Sequence, residues 1–204
     1  MDINTRKGLW GYKNSVPIYR IKDKTIGIIG FGSIAHILVN KLKSLGFKNM
    51  LIYDPYVDGE KFDKDNLKFV ALEVLMMESD FISLHAPLNK ETFHLISEKQ
   101  FKIMKPSCYI INVGRGALIE EKSLYKALKE EWISGAGVDV YENEPIALDN
   151  PLLSLDNIVL TPHAAWYSEE AIKDLKEKVA KEVIRVLSGN NPLSAVNFQE
   201  CLKK

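Results

Sequence analysis

The sequence predicts a doubly wound α/β fold on a parallel sheet. Short apolar runs alternate with amphipathic stretches of helical period, and nearly every run ends in glycine, proline or aspartate. Strands that are apolar throughout must be covered on both faces, and strand–helix alternation makes their connections parallel.

Each element follows in order. Residues 1–24 mix polar side chains with Trp10, Tyr12 and Tyr19 and show no sustained period, so they read as an arm or linker. Residues 25–29 are a β-rich run ending at Gly30, followed by Ile34, Leu38, Leu42 and Leu45 at helical spacing and closed by Gly46. A second strand over 50–53 stops at Asp54-Pro55, since proline ends strand and helix alike. Phe69-Val70 is a minimal strand before a helical stretch over 72–77, and 81–84 is a strand ending at His85-Ala86-Pro87. Residues 109–112 form another, ending at Val113-Gly114-Arg115-Gly116, before a helix over 121–130 with Leu124 and Leu128 on one face. Strands over 133–138 and 158–160 end at Asp139 and at Thr161-Pro162-His163. A last helix starts after Ser168, a good N-cap, carries Glu169 and Glu170 at the positive end of its dipole, and runs to Leu187 before Gly189.

Composition narrows the function classes. The 204 residues are 46% hydrophobic and 26% charged, enough for a sizeable core, and 27 basic residues balance 27 acidic ones. No basic excess favours nucleic acid. The longest weakly interrupted apolar run, 25–35, is too short for a bilayer, and the start MDINTRKG lacks an apolar signal core. Cys108 and Cys201 make no CxxC and no disulfide framework. The expectation is a soluble cytoplasmic chain with free thiols, no membrane contact and no metal.

Ligands of open α/β sheets bind outside the carboxyl ends of the strands. Gly30-Phe31-Gly32-Ser33-Ile34-Ala35 fits G-x-G-x-x-G/A, follows a strand, opens a helix, and is followed by Asp54 at the next strand end, 22 residues beyond Gly32. Gly30 permits the tight turn, Gly32 the approach of backbone to pyrophosphate, and Ala35 the packing of helix on strand. The helix N-terminus offers free N–H groups and a positive dipole to the phosphates. Asp54 can accept from both ribose hydroxyls and repels a 2′-phosphate, while Pro55 brings no positive charge, so NAD is expected over NADP. This is a Rossmann-type dinucleotide site.

Arg115 sits between two glycines with an unobstructed guanidinium, suited to bidentate capture of a carboxylate. Glu144 and His163 follow two other strand ends and are candidates for an acid/base pair. Singly, each has a plainer explanation: a surface turn arginine, a solvated carboxylate, a satisfied core histidine.

The motifs KTIGIIGFGSIA, YDP, HAPLNKET, INVGRGALIEEKSLYKAL, GAGVDVYENEP and TPHAAWYSEEA, in that order, make the chain from about Lys24 to Asn197 resemble the nucleotide-binding half of the D-isomer-specific 2-hydroxyacid dehydrogenases. The resemblance places the catalytic residues on Arg115, Glu144 and His163. It places dinucleotide contacts on Ser33, Ile34, Asp54, Ala86, Pro87, Val113, Gly114, Arg115, Asp139, His163, Ala165 and Trp166, beside Gly30 and Gly32 of the turn. It implies hydride transfer from NADH to a 2-keto acid, or the reverse from a 2-hydroxy acid. His163 protonates the alkoxide, Arg115 holds the carboxylate, Glu144 raises the imidazole pKa, and Asp139 fixes the nicotinamide carboxamide. The string PHAAWYSE also resembles the C-terminal-binding-protein corepressors, which share this fold and bind NAD(H), so an NAD(H)-responsive binding module without turnover is the second reading.

The resemblance also exposes a difference. The family carries a substrate domain of about 100 residues ahead of this one, and nothing in this chain corresponds to it. The expected layout is an arm over 1–24, the Rossmann domain over 25–167, and a helix and tail over 168–204 crossing toward the missing lobe. A single domain of a longer protein, a shortened gene product and a lobe supplied by a second chain all remain open. Because the family dimerises through its nucleotide domains and the arm is aromatic, a homodimer is expected.

Overall fold

A computed structural model describes residues 2–14, 18–65 and 67–195 of the chain. Cys201 and the tail residues Val196 and Asn197 lie outside them. Among the described residues seven strands form one parallel sheet: β1 (Thr25–Ile29), β2 (Asn49–Tyr53), β3 (Leu67–Phe69), β4 (Phe81–Leu84), β5 (Tyr109–Asn112), β6 (Gly135–Val138) and β7 (Ile158–Leu160), in the order β3-β2-β1-β4-β5-β6-β7. The chain steps outward from β1 to β3, returns to lay β4 on the other side of β1, and steps outward again to β7. The direction reverses between β1 and β4, which makes that crevice the switch point of the sheet.

Register matters most for the site. Tyr53, Ile29, Leu84, Asn112, Val138 and Leu160 stand in one row across the sheet. The residues that follow them, Asp54, Gly30, His85, Val113, Asp139 and Thr161, therefore leave the sheet along a common rim.

Among the described residues six α-helices accompany the strands: α1 (Asp2–Arg6), α2 (Ser33–Ser44), α3 (Leu72–Glu78), α4 (Glu98–Ile103), α5 (Glu121–Lys129) and α6 (Glu169–Leu187). The two-residue period of the strands sorts the core. Ile26 and Ile28 of β1 pack with Ala35, Val39 and Leu42 of α2 on one face. Ile29 and Leu51 join Leu75 of α3, Phe101 of α4 and Leu124 of α5 on the other. Helix α3 lies so close over β1 that a Cβ on Gly27 would come within 2.5 Å of the Leu75 side chain. At the amino ends of the strands, Asp80 accepts the Thr25 N–H at 2.9 Å and lies 3.3 Å from Lys24 and 3.5 Å from Lys105. Burial opposes its ionisation, yet the Thr25 N–H and the two ammonium groups outweigh that and hold its carboxyl below the usual carboxylate range. Burial pushes the Cys108 thiol up to about 12, so it stays protonated and inert.

The structure departs from the sequence reading in particular places. Helix α4 has six residues, too few to show a period, but Ser97 and Gln100 form a capping box at its start. Val70 lies beyond β3, although its N–H still reaches the Ile52 carbonyl at 2.9 Å. Ile133 is buried ahead of β6, and Glu130 caps α5 rather than continuing it. Cover is also uneven. On the α2 side, Tyr109 of β5 and Val159 of β7 remain 46% and 67% exposed.

The chain divides into two compact units, residues 1–162 and 163–204. The second is dominated by α6, whose Ser168 cap accepts the Ala171 N–H at 3.0 Å as the sequence predicts. Its Leu175, Val179 and Val183 are exposed. Among the described residues, no helix is long and apolar enough to cross a membrane.

Candidate functional site

The glycine turn joins β1 to α2. Gly30 has φ +87°, and a Cβ there would lie 2.5 Å from the Ala86 nitrogen and 2.6 Å from its Cα. Left-handed backbone and the chain leaving β4 both demand glycine. Gly32 differs: its φ is −84° and an added Cβ meets nothing within 4 Å. Packing within the protein places no demand for glycine there. Ser33 and Ile34 follow in the first turn of α2, with Ile34 exposed and Ala35 fully buried.

Asp54 stands beside this turn at the end of β2. Its Oδ2 accepts the Phe31 N–H at 2.7 Å and its Oδ1 the Tyr56 N–H at 3.0 Å, so two backbone donors fix the carboxylate before any ligand arrives. A pocket opens here, with Gly30, Asp54, Tyr56, Ala86 and Pro87 in its walls. A helix N-terminus, an open glycine and an oriented carboxylate suit the pyrophosphate and ribose of a dinucleotide.

The arginine loop is shaped by Asn112, buried at the end of β5. Its Oδ1 accepts the Gly114 N–H at 3.1 Å, and its Nδ2 donates to the Arg115 carbonyl at 2.9 Å. This turn presents Val113, Gly114 and an exposed Arg115, whose Nη1 donates to the Gly114 carbonyl at 2.8 Å. Gly116 answers a different constraint. A Cβ on it would sit 1.9 Å from the Tyr141 carbonyl carbon and oxygen, because the 141–142 peptide crosses directly over it. The arginine loop and the glutamate loop are thereby held backbone to backbone.

Glu142 of the glutamate loop also meets the start of α5 and His94. Glu142 Oε1 accepts the Glu121 N–H at 2.7 Å and lies 3.0 Å from His94 Nε2, while the Glu142 N–H reaches Glu121 Oε2 at 3.4 Å. His94, at φ +51°, donates its own N–H to the Ala117 carbonyl at 2.8 Å. Glu144 turns back to accept the Tyr141 N–H at 3.0 Å and is exposed. Asp139 is buried and accepts the Thr161 hydroxyl at 2.6 Å, and the Tyr141 hydroxyl donates to the Thr161 carbonyl at 2.9 Å. Burial, then Asp139 and Glu144, push the Tyr141 phenol up, so it stays a donor. His85 hydrogen-bonds Ser83 at 2.8 Å, and burial depresses its pKa.

His163 opens the second unit with φ +54°, and its carbonyl accepts the Trp166 indole N–H at 3.0 Å. His163, Ala165 and Trp166 are exposed, which excludes the core-histidine explanation. The first unit thus gathers the glycine turn, Asp54, Ala86, Pro87, Arg115, Asp139 and Glu144 on one rim. Sequence reasoning missed the Glu121, Glu142 and His94 ties and the pairing of Tyr56 with Glu91. Their only signals were an acidic pair at a helix start and an Asn-x-x-Thr turn at Asn89.

Fold and rim together define a dinucleotide-binding domain of the doubly wound class. The chain belongs to the D-isomer specific 2-hydroxyacid dehydrogenases, whose NAD binding domain matches residues 1–165. It is 45% identical over 186 residues to a glyoxylate reductase of Korarchaeum cryptofilum, covering 91% of this chain and 55% of that protein. The chain spans about half the length of the curated relatives it matches. Among solved structures it resembles the D-lactate dehydrogenase of Lactobacillus jensenii with NAD+, at TM-score 0.84 and 29% identity over 96% of this chain and 62% of that one. It also resembles an acyclic imino acid reductase in complex with NADPH and D-Arg, at TM-score 0.82 and 35% identity, covering 94% and 60%.

Proposed function

We propose that the chain is the cofactor half of an NAD(H)-dependent reductase of 2-keto acids, with glyoxylate the first substrate to test. The observation that carries the reading is the common rim, on which a fixed Asp54 and an exposed Arg115 follow residues in one register row. Family membership and reductase relatives favour this over the corepressor-like module. When bound, the nicotinamide supplies hydride. Gly30, Gly32, Ser33 and Ile34 hold the pyrophosphate end, Asp54, Ala86 and Pro87 the adenosine end, and Val113, Gly114, Asp139, Ala165 and Trp166 the nicotinamide end. Arg115 binds the substrate carboxylate and draws charge toward the carbonyl oxygen. His163 delivers the proton to that oxygen, and Glu144 is the third residue the family resemblance assigns to catalysis.

Calorimetric titration with NAD+, NADH, NADP+ and NADPH tests the cofactor assignment on this chain. NADH binds more tightly than NADPH, and Asp54→Ala narrows the gap by removing both a ribose acceptor and a repelling charge. Tighter binding of NADPH by the unaltered chain sinks the role given to Asp54.

The same reading assigns residues 1–24 to an arm, 25–167 to the cofactor domain, and 168–204 to a crossing toward a substrate domain. It makes the protein a cytoplasmic homodimer, supported by exposed aromatic residues of the arm, Trp10 at 86% and Tyr12 at 80%. Light scattering at high micromolar concentration is expected to return twice the chain mass. A monomer there counts against the dimer.

A further inference from the structure

The pocket beside Asp54 has a far wall that the glycine turn and Asp54 do not form, made by Asn89, Glu91 and Thr92. The Tyr56 hydroxyl donates to Glu91 Oε2, so the pair joins the two walls across the pocket. Backbone turns hold both ends. The Tyr56 N–H is bound to Asp54 at 3.0 Å, and the Glu91 N–H donates to Asn89 Oδ1 at 2.8 Å. Thr92 braces the second turn, its N–H on Asn89 Oδ1 at 3.0 Å and its hydroxyl on the Pro87 carbonyl at 2.6 Å. The hydrogen bond and charge of Glu91 raise the phenol pKa, so Tyr56 remains a donor at neutral pH. Asp54 and Glu91 are the only charged residues in the described lining, and both are anionic.

We propose that Glu91 is a second determinant of nucleotide choice: its carboxylate, held across the pocket by Tyr56, disfavours a 2′-phosphate in addition to Asp54. This rests on the NAD(H) reading of the first unit. A phosphomonoester carries between one and two negative charges at neutral pH, and NADH lacks that group. Repulsion from the two carboxylates therefore falls more heavily on NADPH, which carries the extra phosphate, and weakens as salt screens it.

The test titrates the unaltered chain, Glu91→Gln and Tyr56→Phe with NADH and NADPH at low and physiological ionic strength. Glu91→Gln keeps the size and the acceptor for Tyr56 but removes the charge. It should raise NADPH affinity about fivefold at low salt, the factor given by one like-charge contact in near-aqueous surroundings, while NADH affinity stays within about twofold. Tyr56→Phe keeps the charge but frees the side chain, and should give a smaller gain in the same direction. The inference is overturned if Glu91→Gln leaves NADPH affinity unchanged, or shifts both nucleotides by one factor. If the unaltered chain itself prefers NADPH, the Asp54 reading fails and this one with it. If Asp54→Ala narrows the preference and Glu91→Gln does not, the role of Glu91 alone is lost.

Discussion

Gly116→Ala destabilises the first unit by about 3 kcal/mol, the upper end for forcing extra atoms into a packed site. The new Cβ would stand 1.9 Å from the Tyr141 carbonyl carbon and oxygen and 2.5 Å from the Glu142 nitrogen. These are backbone atoms, so no rotamer change relieves the overlap. Either the glutamate loop is pushed away, breaking its bonds to Glu121, or the arginine loop shifts. Urea denaturation or calorimetry reads the change. At this chain length it corresponds to a fall in Tm of roughly 6–12 °C. Gly32→Ala is the control, because its Cβ has open space and its φ suits any residue. It should leave stability within about 0.5 kcal/mol, as substitutions away from packed features do, while NADH binding is lost. A Gly116→Ala variant as stable as the unaltered chain would show that the two loops are not held as described.

The second large effect is catalytic and is measured on a longer protein that joins this chain to a substrate domain. With glyoxylate, pyruvate or hydroxypyruvate and NADH, His163→Ala should lower kcat by about 10²–10⁴-fold, the usual worth of a positioned proton donor. Arg115→Ala should lower kcat/KM by orders of magnitude as well, with a large part of the loss in KM, because it removes the carboxylate anchor. NADH affinity of the His163 variant, measured by fluorescence, separates lost chemistry from lost binding. A longer protein that binds NADH but turns over no 2-keto acid would return the corepressor-like module to first place.

The strands were legible because each apolar run stops at a residue that cannot extend it, such as Asp54-Pro55 or Val113-Gly114. Ser168 marked the start of α6 equally well. Helix α4 was not legible, since six residues leave no period to read and its capping box is the sole local mark. Asp54 could be found from its spacing to Gly32. Its grip on the Phe31 N–H could not, because that bond exists only once β2 lies beside β1. Gly116 shows the same limit. The sequence displays a glycine after Arg115, but the peptide that requires it comes from the loop after β6. The Glu142 ties to Glu121 and His94 are likewise products of tertiary structure, drawn from three separate segments.

Both margins of the sheet, β3 and β7, are three-residue strands. A margin that short shows an approaching extended segment few unpaired main-chain groups, and strand addition needs a longer row to hold. Cross-chain ladder growth is therefore curtailed at both ends, even though Val159 faces solvent at 67% exposure. Short margins of this kind disfavour edge-templated aggregation. Lengthening β7 by a few apolar residues would remove that protection without touching the nucleotide rim.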